Sequence, residues 1–126
     1  MIIDDIKHEH LYVIKEKNTI HAVFAFIIGI EPTYLEISQG KWLSNTEYGT
    51  LHRIAGDGAI HGICDSIIMF CNNKINHLQI DTHENNKVMQ HLISKNGFQK
   101  CGIIHVADDS PRIAYEKTQK YQLAEL

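Results

Sequence analysis

The chain has 126 residues, 44% of them hydrophobic and 21% charged, room for one compact domain that buries roughly two thirds of its unfolded surface. A formal net charge of −3 with nine histidines supplies no basic field for nucleic acid and no polybasic patch for a membrane. Cys64, Cys71 and Cys101 form no C-x-x-C pair, a usage that fits free thiols in the cytoplasm better than a disulfide scaffold. The opening Met1-Ile2-Ile3-Asp4-Asp5 is not a basic segment followed by an apolar run, and no apolar stretch nears the 18 or so residues of a membrane span.

Residues 2–9 read as a mixed, partly helical lead-in. Leu11-Tyr12-Val13-Ile14 reads as a strand, residues 15–18 as a polar turn and residues 19–28 as a long buried strand, so the first two strands form an antiparallel hairpin. Residues 29–45, with Pro32 and Gly40, form an irregular connection holding at most a short strand or helical turn. Residues 48–55 make a third strand. Ile60, Ile63, Ile67, Phe70 and Cys71 then recur at close to helical spacing, which predicts a helix over residues 59–73.

Leu78-Gln79-Ile80-Asp81 is a short strand, and strand, helix, strand makes a crossover that sets its two strands parallel. A second helix spans residues 86–95, with Val88, Met89, Leu92 and Ile93 inward and Asn96-Gly97 as its stop. Strands at residues 100–106 and 112–117 are joined by the turn Ala107-Asp108-Asp109-Ser110-Pro111, and residues 119–126 are a peripheral tail. The fold class is α+β: a mixed, mostly antiparallel sheet with one parallel strand-helix-strand crossover and helices packed on it.

The chemistry concentrates at residues 56–64, a glycine-bearing turn between an apolar strand and a helix. Consecutive backbone amides at such a junction suit a pyrophosphate without a basic side chain, and Gly56, Gly58 and Gly62 permit close approach. His8-Glu9-His10 and His83-Glu84 lack H-E-x-x-H or clustered Cys/His spacing, so no metal site is expected. His52 on its strand and His83 at a strand end are the candidate catalytic bases, each with a packing or capping role as the alternative. Tyr48 and Glu47 lie where an acceptor could be reached, and the three cysteines fall on apolar faces as core residues.

The succession His52-Arg53-Ile54-Ala55, Ala59-Ile60-His61-Gly62-Ile63-Cys64, Ile80-Asp81-Thr82-His83-Glu84-Asn85-Asn86, Lys95-Asn96-Gly97-Phe98, Cys101-Gly102-Ile103-Ile104 and Ser110-Pro111-Arg112-Ile113-Ala114-Tyr115 resembles the GNAT superfamily of N-acetyltransferases. It is most similar to the bacterial branch with D-T-H-x-x-N after the cofactor helix. The resemblance runs from about residue 11 to residue 117. It implies an acetyl-coenzyme A site in which the backbone at Ile54 and Ala55 pairs with the pantetheine arm. The amides of Ala59, Ile60, His61, Gly62, Ile63 and Cys64 hold the pyrophosphate, and Asn86 hydrogen-bonds the cofactor. The implied reaction is direct acetyl transfer to an amine of a small molecule or peptide, which requires a neutral amine, an oxyanion donor and an acid for the thiolate.

Three departures from the family pattern accompany the resemblance. Ala59 and Cys64 stand at the outer positions of the pyrophosphate motif. Ile93 stands where many relatives carry the tyrosine that protonates the thiolate. Relatives also place a further strand and two helices before the hairpin, so this chain is expected to lack them, either as a truncated member or with a partner subunit over the exposed sheet edge, and to be a homodimer or a marginal monomer. The alternative function is a catalytically degenerate module that binds coenzyme A or a protein partner. A dinucleotide-binding enzyme, suggested by Gly56-x-Gly58 and Asp81, is opposed by the upstream hairpin and the absence of repeated β-α-β units.

Overall fold

A computed structural model describes residues 1–7, 10–58 and 62–118. Seven strands form one sheet in the order β1-β2-β3-β4-β5-β7-β6. They are β1 (Ile2–Asp5), β2 (Leu11–Glu16), β3 (Thr19–Ile28), β4 (Gly49–Gly56), β5 (Leu78–Thr82), β6 (Gln99–His105) and β7 (Pro111–Lys117). Helix α1 (Ile63–Lys74) joins β4 to β5, and α2 (Lys87–Lys95) joins β5 to β6. Only β4 and β5 pair in parallel; the other strand pairs are antiparallel. The tail at residues 119–126 lies outside the described residues.

The lead-in is a strand, not the partly helical segment its polar residues suggest. Ile2 to Asp5 pair with Tyr12 to Lys15, and Asp4 makes an ion pair with Lys15, a cross-strand contact that offsets the weak strand propensity of aspartate. The strand expected to be missing before the hairpin is therefore present. Among the described residues no α-helix precedes β4.

Both helices lie on one face of the sheet. Tyr12, Ile14, Phe24 and Phe26 of β2 and β3, Leu78 and Ile80 of β5, and Ile113 and Tyr115 of β7 face Cys64, Ile67, Ile68 and Cys71 of α1 and Ile93 of α2 in one buried cluster. The Tyr12 and Phe24 rings stack at 5.2 Å, and Phe70 of α1 meets both edge-on. In α2 the inward stripe is Met89, Leu92 and Ile93. Val88, expected beside them, sits in the first turn at the margin of the stripe and is 72% exposed. Helix α1 starts later than its spacing suggests, because Gly62 caps it with φ 72°, a left-handed conformation that suits glycine.

Residues 29–48 cover the other face as a strap. A 3-10 turn at Pro32–Tyr34 is the regular element within it, in agreement with the irregular connection read from the sequence. Ser38 and Ile103 exchange backbone hydrogen bonds of 2.9 and 2.8 Å. At Gly40 an added Cβ would lie 1.8 Å from the Cys101 carbonyl oxygen, so the strap meets β6 at a separation open only to glycine. Tyr34 packs with Ile104 and Ala114 into a second, smaller cluster bordered by Trp42 and Tyr48.

Beneath the strap Glu116 is 1% exposed. Its carboxylate accepts from His77 Nε2 at 2.6 Å, from the Leu43 amide at 2.6 Å and from Gln79 Nε2 at 3.3 Å. Burial pushes this carboxyl up, but the bonds from His77, Leu43 and Gln79 outweigh it and hold the group below its ordinary 4.5. A carboxylate lowered by folding stabilises the protein above its unfolded pKa, and that stability is lost as pH falls through the lower folded value. Urea midpoints should therefore drop as pH is taken from about 5 to about 3. In Glu116→Gln the drop should be shallower, and the protein should be about 1–3 kcal/mol less stable at neutral pH.

Candidate functional site

The site begins where β4 and β5 part. They pair at Gly49↔Leu78, Thr50↔Gln79 and Leu51↔Ile80. Beyond these, β4 continues along β3 to Gly56 and β5 continues along β7 to Thr82. A bulge in β4 sits at the same point: Val23 faces Ala55 and Ala25 faces His52, so Arg53 and Ile54 together oppose Phe24. Arg53 takes φ 53° to make that geometry, and a bulge of this kind bends its strand and re-aims the neighbouring groups. The result is a notch of about 180 Å³ lined by His52, Ile54, Asp81, Thr82 and Asn86 among others.

On the helix side of the notch, Ile54 is half-buried against the core and Ala55 is exposed. Ala59, Ile60 and His61 lie outside the described residues. At the start of α1, Gly62 offers no side-chain cap, so the first backbone amides, those of Ile63 and Cys64 among them, are not used within the helix. The Cys64 side chain turns into the core at 5% exposure, and burial raises its thiol pKa; its bulk is thus directed away from the amide end of the helix. Asn86, which lines the notch, caps α2 through Oδ1, which accepts from the Met89 amide at 3.0 Å. His83 Nδ1 accepts from the Asn85 amide at 3.0 Å, and Gln90 donates to the His83 carbonyl at 3.1 Å, which gives this exposed histidine the work of a loop cap.

On the strap side, His52 is held by Glu31. The carboxylate Oε1 lies 3.1 Å from His52 Nε2, while Oε2 accepts from the amide and the hydroxyl of Thr33, each at 2.9 Å. Burial works to raise the Glu31 carboxyl, but the two Thr33 bonds and His52 prevail and keep it below its usual value. An ionised carboxylate accepts only, so His52 donates from Nε2, and in the neutral ring Nδ1 is then the basic atom. His52 also borders a hollow of about 400 Å³ whose floor includes Leu11, Ala25 and Ile27.

Asp81 faces the same side, and its Oδ2 accepts from the buried Tyr34 hydroxyl at 2.6 Å. Burial, followed by the neighbouring Asp81, pushes the Tyr34 phenol well above its ordinary pKa, so it remains a donor. Tyr48 lies against this group and accepts from the Glu31 amide at 2.9 Å, whereas Glu47 is exposed. Ile93 is fully buried and brings no hydroxyl to the notch. Among the described residues no cluster of three or more His, Cys, Asp or Glu side chains could hold a metal ion.

Glu31 and Tyr34 were invisible as site residues in the sequence because their partners lie 21 and 47 positions away. A local signal did exist. Glu31-Pro32-Thr33 is an acceptor side chain followed by proline at the first position of a turn, the pattern of a capped helical start.

No protein-family model matches the chain, and neither does any curated protein. Among solved structures, it is similar to an acetyltransferase of the GNAT family from Streptococcus agalactiae, with a TM-score of 0.77 and 33% identity, covering 86% of this chain and 65% of that one. The chain thus spans slightly under two thirds of that relative's length. It also superimposes on a GNAT-family acetyltransferase from Bacillus cereus, with a TM-score of 0.58 and 18% identity over 86% of this chain and 70% of that one. A third similar structure is the aminoglycoside acetyltransferase AAC(6')-Ib in complex with coenzyme A, with a TM-score of 0.59 and 14% identity over 94% of this chain and 72% of that one. The chain thus has the fold of the GNAT-family acetyltransferases.

The Tyr34–Asp81 bond ties the strap to the notch, and a hydrogen bond to a charged group contributes about 1.5–3 kcal/mol. Tyr34→Phe should lower the urea unfolding free energy by that order with the fold retained in circular dichroism.

Proposed function

We propose that this GNAT-fold chain is an acetyl-coenzyme A-dependent N-acetyltransferase that passes an acetyl group directly to an amine of a small molecule or peptide. The observation that supports it most is the notch itself, lined by Asn86 on one side and by an oriented histidine on the other. The co-substrate supplies an acetyl group activated as a thioester. The backbone of Ile54 and Ala55 lies along its pantetheine arm, the amides of residues 59–64 take its pyrophosphate, and Asn86 donates from Nδ2. His52, positioned by Glu31, removes the proton from the incoming ammonium at Nδ1, because only the neutral amine is a nucleophile.

A second reading is favoured by the buried, apolar Ile93, which leaves α2 without an acid for the departing thiolate. In that reading the chain binds coenzyme A without turnover. The exposed edge strand β1, with Ile2 at 57% and nearby Ile20 at 54% exposure, supports a homodimer, and the three free cysteines suit the cytoplasm. Among the described residues no helix is long and apolar enough to cross a membrane.

Calorimetry with acetyl-coenzyme A, paired with a thiol-release assay over an amine panel, separates the readings. Saturable binding with release is expected, and binding with no release from any amine leaves the degenerate module. His52→Gln should lower kcat/KM by about 10²–10⁴-fold with acetyl-coenzyme A affinity unchanged. Light scattering on the eluted peak should give twice the chain mass; a monodisperse monomer removes the dimer.

A further inference from the structure

A cleft of about 700 Å³ opens on the strap face, beside the notch and separate from it. Its walls include the rings of Tyr34, Trp42 and Tyr48, with Leu43 and Thr46 alongside and Gln79 of β5 beneath. The Tyr34 and Trp42 centroids lie 5.3 Å apart, and the Trp42 indole is fixed by donating to the Tyr34 carbonyl at 2.8 Å. Neither lysine nor arginine is among its lining residues.

Gln79 is the informative group. It is 2% exposed, and its orientation is set by chemistry, because the Glu116 carboxylate can only accept and so must face the amide nitrogen. That leaves Oε1 buried with no hydrogen-bond partner among the described residues. A buried acceptor without a donor is costly, and native structures keep few of them. An aromatic wall, an unsatisfied oxygen and an absence of fixed cations together describe a receptor for an N–H donor that carries positive charge.

We infer that this cleft binds a small organic molecule through an ammonium group, held against Trp42 and donating to Gln79 Oε1. Tyr34 belongs both to the cleft wall and, through Asp81, to the notch. Resting on the acetyltransferase reading, the ligand is a diamine: one charged nitrogen sits here and the other is the acetyl acceptor.

Trp42 is the one tryptophan in the sequence, so intrinsic fluorescence reports occupancy without turnover. Titration with 1,6-diaminohexane should shift its emission saturably, 1-aminohexane should bind at least tenfold more weakly, and 1,6-hexanediol should have no effect. Gln79→Leu should weaken the diamine about tenfold. Leu43→Lys, at a half-exposed wall position, should abolish binding by repulsion, and this second variant keeps the test intact if the first fails to fold. A silent tryptophan, an equal response to the diol or to the monoamine, or unchanged affinity in Leu43→Lys would each overturn the inference. Acetyl-coenzyme A binding and thiol release with a silent Trp42 would remove the cleft site and leave the enzyme. A Trp42 response without release from any amine would do the reverse.

Discussion

The parting of β4 from β5 after Leu51↔Ile80 is the constraint on which the rest of this molecule depends. A continuous ladder would have consumed the backbone groups of both strands. Here each strand keeps its outer partner, β3 for one and β7 for the other, so the sheet stays whole while an opening forms inside it. The bulge at Arg53 accommodates the separation, because an extra residue on β4 lets the strand bend without breaking its pairing to β3. Hydrophobic packing holds the two halves in place: Leu78 and Ile80 on one side, Phe24 and Leu51 on the other, share one cluster under the helices.

The strap adds polarity to that opening. Glu31 reaches His52 and Tyr34 reaches Asp81, so two contacts from one 3-10 turn fix the side chains at both lips of the notch. Glu116 anchors the other end through the Leu43 amide. Buried carboxylates tolerate such positions only when several donors meet them, and each of these acids has at least one donor from a segment distant in sequence.

Much of the scaffold was legible. The apolar run of β3, the spacing of α1 and the Asn96-Gly97 stop of α2 are local signals, and their elements formed, α1 from Ile63 onward. The crossover followed from element order alone. Local reasoning failed where tertiary contact decided: β1 is a strand because β2 offers it an edge and Lys15 pairs with Asp4, and Val88 is exposed because it sits at the margin of the stripe formed by Met89, Leu92 and Ile93. His52 was identified by residue type and strand position, but Glu31, which orients it, lies across a connection whose path no periodicity encodes. The family resemblance carried no information about the strap.

Gly40 has an evolutionary corollary. Since β6 stands where a side chain at that position would have to go, and Ser38 is locked to Ile103 two residues earlier, the strap is stapled to the sheet near its midpoint. Changes of length are then confined to two arcs, one carrying Glu31 and Tyr34 and the other carrying Trp42 and Tyr48, and the two are tied where Tyr48 accepts from the Glu31 amide and Trp42 donates to the Tyr34 carbonyl. Insertions in the second arc would therefore reshape the aromatic cleft and, through Tyr48, reach Glu31, the residue that holds His52.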